Sequence, residues 1–236
     1  MTLIVEATEP VLVDIAGDER KFPVRHVYCI GRNYVDHAKE MGLTPESDPK
    51  KNPPFFFMKY ADTIVPTGST IVYPLGTENY HWELELAVAI GKEGVKIPAS
   101  QAKEYILAYG VGFDMTRRDL QQGAKDKGRP WDTGKNVVQS APVAPLHLVS
   151  EVGHIEDARI WLEVNGEVKQ DSNVSDMIWD TYEIIEAVSN LYRLYPGDLI
   201  LTGTPAGVGA CVPGDHLVGH VDGLTSIDIT IGDRES

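Results

Sequence analysis

Glu83 and Glu85 stand two residues apart in Tyr80-His81-Trp82-Glu83-Leu84-Glu85-Leu86, a segment that otherwise reads as a buried strand. A strand repeats every two residues, so both carboxylates point to one face while Leu84 and Leu86 point to the other. The run continues as Ala87-Val88-Ala89-Ile90-Gly91 and stays apolar, as expected of a strand covered on both faces. Adjacent carboxylates repel, and burying even one without compensation either costs several kcal/mol or forces it to take up a proton. A divalent cation removes both problems. On an exposed strand face the same alternation would carry no meaning.

Asp114 follows the apolar run Tyr109-Gly110-Val111-Gly112-Phe113 and would add a third oxygen ligand to Glu83 and Glu85. Oxygen-only ligation favours Mg²⁺, Mn²⁺ or Ca²⁺ over zinc. Asp is also a common N-cap, and a helix beginning at Met115 would use it so. His37 and Glu40 lie three apart, so on a helix they share a face; a carboxylate orienting an imidazole makes a general base. The same spacing occurs incidentally on solvated helices. Arg118 and Gln121 repeat it after Asp114, and Lys135 sits in the loop after Arg129-Pro130-Trp131. Together they could form the local positive centre that a carboxylate substrate needs, although each alone reads equally as a surface charge. Thr202-Gly203-Thr204-Pro205-Ala206-Gly207-Val208-Gly209 has neither a phosphate-loop ending nor dinucleotide spacing. Its amides and the Thr204 hydroxyl could bind a carboxylate, or the segment could be a plain turn.

The elements that must position these groups are mostly strands. A strand over 24–30 ends at Gly31, and Asn33 is placed to cap a short helix through Glu40 that stops at Gly42. Residues 43–54, with four prolines in Leu-Thr-Pro-Glu-Ser-Asp-Pro-Lys-Lys-Asn-Pro-Pro, are expected to form a mobile loop. Strands are expected at 55–60, 69–73 and 80–91, a helix at 99–108, a strand at 109–113 and a polar helix over 115–127. Asn165-Gly166 predicts a hairpin between 160–164 and 167–168. A helix over 181–192 precedes strands at 198–202, 215–220 and 225–231.

The chain of 236 residues suits one large domain. Its 21 basic and 35 acidic residues give −14, with no basic cluster to track a phosphate backbone, so nucleic acid is not an expected partner. No basic leader or membrane-length apolar stretch is seen, and the two cysteines, Cys29 and Cys211, have no scaffold spacing. A cytoplasmic protein is expected, without membrane partners.

Taken in order, these segments resemble the fumarylacetoacetate hydrolase superfamily over about residues 27–231. The resemblance rests on Gly31-Arg32-Asn33-Tyr34-Val35-Asp36-His37-Ala38-Lys39-Glu40-Met41, His81-Trp82-Glu83-Leu84-Glu85-Leu86, Asp114-Met115-Thr116-Arg117-Arg118-Asp119-Leu120-Gln121, Gly134-Lys135 and Thr202-Gly203-Thr204-Pro205. It implies an α+β, strand-dominated fold, the mixed β-sandwich roll of that family. One catalytic domain would span 1–236, with 1–23 as an N-terminal extension, and pair as a homodimer. Mg²⁺ or Mn²⁺ would be held by Glu83, Glu85 and Asp114, under a His37/Glu40 pair on a segment that orders over the ligand.

Within the superfamily the chain looks most like acylpyruvate hydrolases, and Gly128-Arg129-Pro130-Trp131-Asp132 is similar to the fumarylpyruvate-cleaving members. Many acylpyruvate hydrolases have a second His where this chain has Trp82. The implied substrate is a 2-oxo or 2,4-dioxo acid, cleaved at a C–C bond by water that His37 activates, with Lys135 and Gln121 stabilising the enolate. Arg32, Tyr34, Lys59, Arg118, Gln121 and Thr204 are the expected substrate contacts. Oxaloacetate decarboxylation and other lyase or isomerase chemistry on a 2-oxo acid are rival readings, as is a catalytically silent binder.

Overall fold

The structure, a computed structural model, describes residues 4–6, 8–42 and 49–236. Its larger sheet runs, in spatial order, Phe55–Lys59, Val27–Gly31, Leu199–Leu201, Leu84–Ile90, Ile106–Phe113, Ala141–Val143 and Ile64–Pro66, with His147–Leu148 also paired to Ile106–Phe113. The second sheet runs Glu167–Asn173, Arg159–Val164, His216–Val221, Ile227–Arg234 and Ser69–Tyr73. Both are mixed: Leu199–Leu201 lies parallel to Val27–Gly31, and Ile227–Arg234 parallel to Ser69–Tyr73. This is the strand-dominated α+β architecture that the resemblance implies.

Leu84–Ile90 occupies the middle of the larger sheet, and its alternation divides the core. Leu84, Leu86, Val88 and Ile90 join Ile160, Leu162, Leu217 and Ile229 of the second sheet in one apolar cluster. Ala87 and Ala89 belong to another, with Val13, Ile15 and Phe22 of the N-terminal hairpin Leu12–Ile15/Asp18–Pro23. The segment read as an extension therefore contributes to the core. Truncating Leu84 or Leu86, both fully buried, to alanine costs about 2–5 kcal/mol.

The hairpin turn falls at Asn165-Gly166, where both residues have positive φ (53° and 80°), as a tight two-residue connection requires. The helix Thr181–Leu191 is started by Asp180, which forms a reciprocal capping box with Glu183. Elsewhere long-range pairing overrides local pattern. The expected strand over 80–91 is two strands: Tyr80–Trp82 pairs with Thr116–Arg117 and Gly209–Cys211 in a small third sheet, and the chain changes sheets at Glu83. The expected helix over 99–108 is a 3₁₀ segment, Ala99–Tyr105, because residues from Ile106 onward pair in register with Leu84–Ile90. The polar helix is shorter than expected, Arg118–Asp126.

Asn33 does not cap the helix Val35–Glu40, whose N-cap, Tyr34, makes no side-chain cap bond. Its amide instead ties distant loops together, donating to Trp179 O (2.9 Å) and Thr202 O (2.8 Å) and accepting from Trp179 N (2.8 Å). Of the loop expected over 43–54, residues 43–48 lie outside the described part of the chain. No helix among the described residues is long and apolar enough to cross a membrane.

Candidate active site

The change of sheets at Glu83 assembles the site. Asp114 N donates to Glu83 O at 2.8 Å, and Glu85 pairs with Gly112 across the antiparallel ladder. That register brings Glu83, Glu85 and Asp114 to one place, all buried, with one carboxylate oxygen from each within 4.8 Å of the others. Asp114 is not an N-cap, since the following helix starts after Arg117 and has no side-chain cap.

Three cations surround the acids. Lys135 Nζ donates to Glu83 Oε2, Asp114 Oδ2 and Thr116 Oγ1, each at 2.7 Å. Arg118 donates through Nη2 to Glu83 Oε1 and through Nη1 to Gln121 Oε1 at 2.7 Å. Lys59 Nζ lies 3.1 Å from Asp114 Oδ1 but spends its hydrogens on Met115 O, Lys135 O and Ser140 Oγ. Asp114 Oδ1 accordingly accepts no hydrogen bond.

The consequences differ from one acid to the next. Burial raises the Glu83 carboxyl, but Lys135 and Arg118 outweigh it and hold the group well below the usual carboxylate range. Burial, then the charges of Asp114 and Glu83, push Glu85 well above that range, and among the described residues the Gly203 amide is what donates to its Oε2, at 2.7 Å. Burial opposes the charge on Lys135, yet Asp114 and Glu83 raise it overall, whereas for Lys59 burial prevails and lowers it. An orphaned carboxylate oxygen and a second carboxylate short of positive neighbours, in an all-oxygen donor set, fit a hard divalent cation.

His37, also buried, contacts Glu40 through Nδ1 at 3.2 Å to Oε2; in the tautomer that donates this bond, Nε2 is the acceptor of the ring. Burial raises the Glu40 carboxyl, but His37 and the Gly207 amide outweigh it and lower it overall. The glycine-rich loop does bind carboxylates, and they are the protein's own: Gly203 N serves Glu85, and Gly207 N reaches Glu40 at 3.1 and 3.2 Å. Both glycines have positive φ, 97° and 98°. A Cβ on Gly203 would lie 2.7 Å from Asn33 Cβ, and one on Gly207 only 1.9 Å from Lys169 O. Trp82 steadies the same loop by donating from Nε1 to Gly207 O at 3.0 Å.

Arg32, His37, Arg118, Gln121, Lys135 and Thr204 line one cavity with the three acids. Glu40 stands behind His37. Two candidate substrate contacts lie elsewhere. Lys59 is enclosed beneath Asp114, where its hydrogen bonds hold the floor, and Tyr34 lines a separate cavity beside Asp36, Asp171 and Asp176. The shared cavity has about 30 Å³ of space, room for a water molecule.

The family described as fumarylacetoacetate (FAA) hydrolase C-terminal matches residues 26–232. The chain belongs to the fumarylacetoacetate hydrolase family. Fumarylpyruvate hydrolase from Ralstonia sp. is 50% identical over 181 residues, covering 77% of this chain and 94% of that protein. Mitochondrial oxaloacetate tautomerase FAHD1 from Homo sapiens is 37% identical over 207 residues, covering 88% and 91%. The crystal structure of fumarylpyruvate hydrolase from Pseudomonas aeruginosa, in complex with Mn²⁺ and pyruvate, matches with a TM-score of 0.94 at 45% identity, covering 99% of this chain and 100% of that one.

Two residues of this fumarylacetoacetate hydrolase family member escaped the sequence reading. Gln170, buried, accepts from Leu84 N (3.1 Å) and donates to Thr204 Oγ1 and Pro205 O (both 2.8 Å), joining the acid-bearing strand to the glycine-rich loop. Nothing local in the sequence points to it, because its partners lie 86 and 34–35 residues away. Lys125 also lines the cavity. It follows Arg118 and Gln121 at helical spacing, so the shared face was available as a clue.

Proposed function

We propose that this chain is a divalent-cation-dependent hydrolase that cleaves the C–C bond of a 2,4-dioxo acid, with fumarylpyruvate, split to fumarate and pyruvate, as its substrate. The observation that carries the reading is one cavity holding the Glu83/Glu85/Asp114 triad together with a carboxylate-oriented histidine. The 50%-identical fumarylpyruvate hydrolase and the Mn²⁺ and pyruvate complex of the Pseudomonas protein support it. Mg²⁺ or Mn²⁺ held by the three acids would supply a positive centre for the pyruvate end and for charge developing there.

His37, with Nδ1 on Glu40, takes a proton from water at Nε2. Hydroxide adds to the distal ketone, the bond on its pyruvate side breaks, and the electron pair leaves as a pyruvate enolate that is then protonated on carbon. Lys135 and Gln121 face the same cavity and stabilise the developing negative charge. With about 30 Å³ of space, the cavity would have to widen as substrate enters. The chain acts as one catalytic domain; homodimeric assembly, a cytoplasmic setting and a place in aromatic catabolism belong to the same proposal.

The test follows loss of enol absorbance from fumarylpyruvate and acetylpyruvate, using metal-stripped protein with and without Mg²⁺ or Mn²⁺. Cation-dependent cleavage is expected. His37→Ala should lower it by roughly 10²–10⁴-fold while retaining Mn²⁺ affinity; intact hydrolysis in that variant would remove His37 from its role. The oxaloacetate tautomerase relatives favour oxaloacetate as the second substrate to assay, since moving its proton or losing CO₂ needs no attacking water. Cation-dependent turnover of oxaloacetate alone would reassign the activity.

A further inference from the structure

Arg118, buried, spends its three nitrogens on three different residues. Nη2 serves Glu83 and Nη1 serves Gln121, both in the cavity lining, while Nε donates to His81 Nδ1 at 3.4 Å. His81 and its neighbour Asn79, both half-buried, stand behind that lining rather than in it. A guanidinium is planar, so acceptors on all three nitrogens fix its plane and leave one N–H on each Nη for other partners.

An arginine can only donate, so His81 Nδ1 is the lone-pair nitrogen and the ring proton sits on Nε2. Asn79 Oδ1 receives that proton, 2.8 Å from Nε2. A doubly protonated ring, or the other tautomer, would aim an N–H at the guanidinium. The backbone holds the parts together. Asn79 and His81 are two apart on extended chain and so share a face, Thr116 pairs with His81 in the small third sheet, and Arg118 N donates to Asn79 O at 2.8 Å. Asn79 N donates to Thr77 Oγ1 at 3.0 Å, and that hydroxyl donates to Asp119 Oδ1 at 2.6 Å, which ties the turn to the residue beside Arg118.

We infer that His81 is a positioning residue that fixes the plane of Arg118 against Glu83, and that Asn79 selects the tautomer with which it does so. A neutral ring suits the task. A carboxylate at position 81 would draw the guanidinium away from Glu83, whereas an imidazole lone pair holds Nε without competing for the charge that Glu83 uses. Without this acceptor a buried donor is left unpaired, and the guanidinium turns to find another. The inference goes beyond the reaction proposed above and rests on it only where turnover is measured.

Nitrogen-15 NMR of the whole chain tests this without turnover. His81 should show a protonated Nε2 and a bare Nδ1, and the Arg118 Nε proton should exchange slowly with solvent. In His81→Leu that exchange should quicken at least about tenfold, the scale of a hydrogen bond from a charged group. His81→Gln, whose amide can accept from Arg118 and donate to Asn79, should restore slow exchange. Asn79→Leu keeps the backbone carbonyl that binds Arg118 N; it should mix the two His81 tautomers and quicken exchange by a smaller factor, and it carries the test if His81→Leu does not fold. In turnover of fumarylpyruvate with Mn²⁺, kcat/KM should fall about tenfold in His81→Leu and return to within about twofold of the parent in His81→Gln. A proton on Nδ1 in the parent overturns the assignment, as does Arg118 exchange that ignores both His81→Leu and Asn79→Leu. A His81→Gln variant as impaired as His81→Leu also overturns it. The expected NMR signature in a protein that does not cleave fumarylpyruvate would sustain the positioning role while overturning the proposed reaction.

Discussion

At the floor of the cavity Lys135 and Arg118 end on Glu83, and Lys135 also on Asp114, whereas at the rim Lys125 and Arg32 end on Trp131 and Phe55. The floor groups are almost wholly buried; the rim groups reach solvent. Buried charges have lost their water and depend on one another, so removing one strands its partners. Rim charges keep much of their hydration and can be altered with little effect on the fold. The difference separates charges that hold one another in place from charges that can be exchanged one at a time.

The largest expected effect comes from breaking the floor. Lys135→Met leaves Glu83 and Asp114 without their shared donor and should cost about 3–5 kcal/mol in chemical denaturation, with activity down at least 10²-fold. A variant of near-parental stability would show that the acids do not rely on Lys135. Next is Gly207→Ala, which forces a Cβ against Lys169 O at a positive φ and disturbs the amide that serves Glu40. About 2 kcal/mol of stability should be lost, together with kcat, as read by thermal melting and steady-state kinetics.

At the rim the expected change is in selectivity. Burial, then the charges of Arg118 and Arg32, hold the Lys125 ammonium down at about 8, so it is charged below that pH and neutral above it. Fumarylpyruvate carries a distal carboxylate that acetylpyruvate lacks. The kcat/KM ratio of fumarylpyruvate to acetylpyruvate should therefore decline as pH rises through that value, by up to about tenfold, while acetylpyruvate alone follows only the groups common to both substrates. A flat ratio would locate the preference elsewhere. The smallest effect belongs to an ion pair outside both regions. Arg159 and Asp171 meet at 2.8 Å on the surface, and Arg159→Ala should leave the midpoint of chemical denaturation close to that of the parent. A marked shift would blur the distinction between buried and exposed charge.

Local features carried much of the architecture. Period-two alternation put Glu83 and Glu85 on one face, and the structure keeps both acids buried beside Asp114. Asn165-Gly166 and the Asp180/Glu183 cap are encoded within a few residues, so they were legible. Three misreadings share a cause. The break at Glu83, the strand beginning at Ile106 and the amide of Asn33 are all decided by partners remote in sequence, whose registers local patterning does not contain. Lys59 misled for a related reason: a lysine between apolar residues gives no indication whether its amine turns toward a cavity or props up a floor.

The glycine-rich loop clasps Glu85 with one amide and Glu40 with another. A single turn of chain therefore positions both a member of the acid triad and the acid behind His37, so under the proposed reaction a shift in that turn would disturb affinity for the ion and proton transfer in the same stroke. Neither can drift by itself. New substrate preferences in such a protein have an easier route through the rim, where one lysine or arginine can be exchanged without renegotiating the charges below.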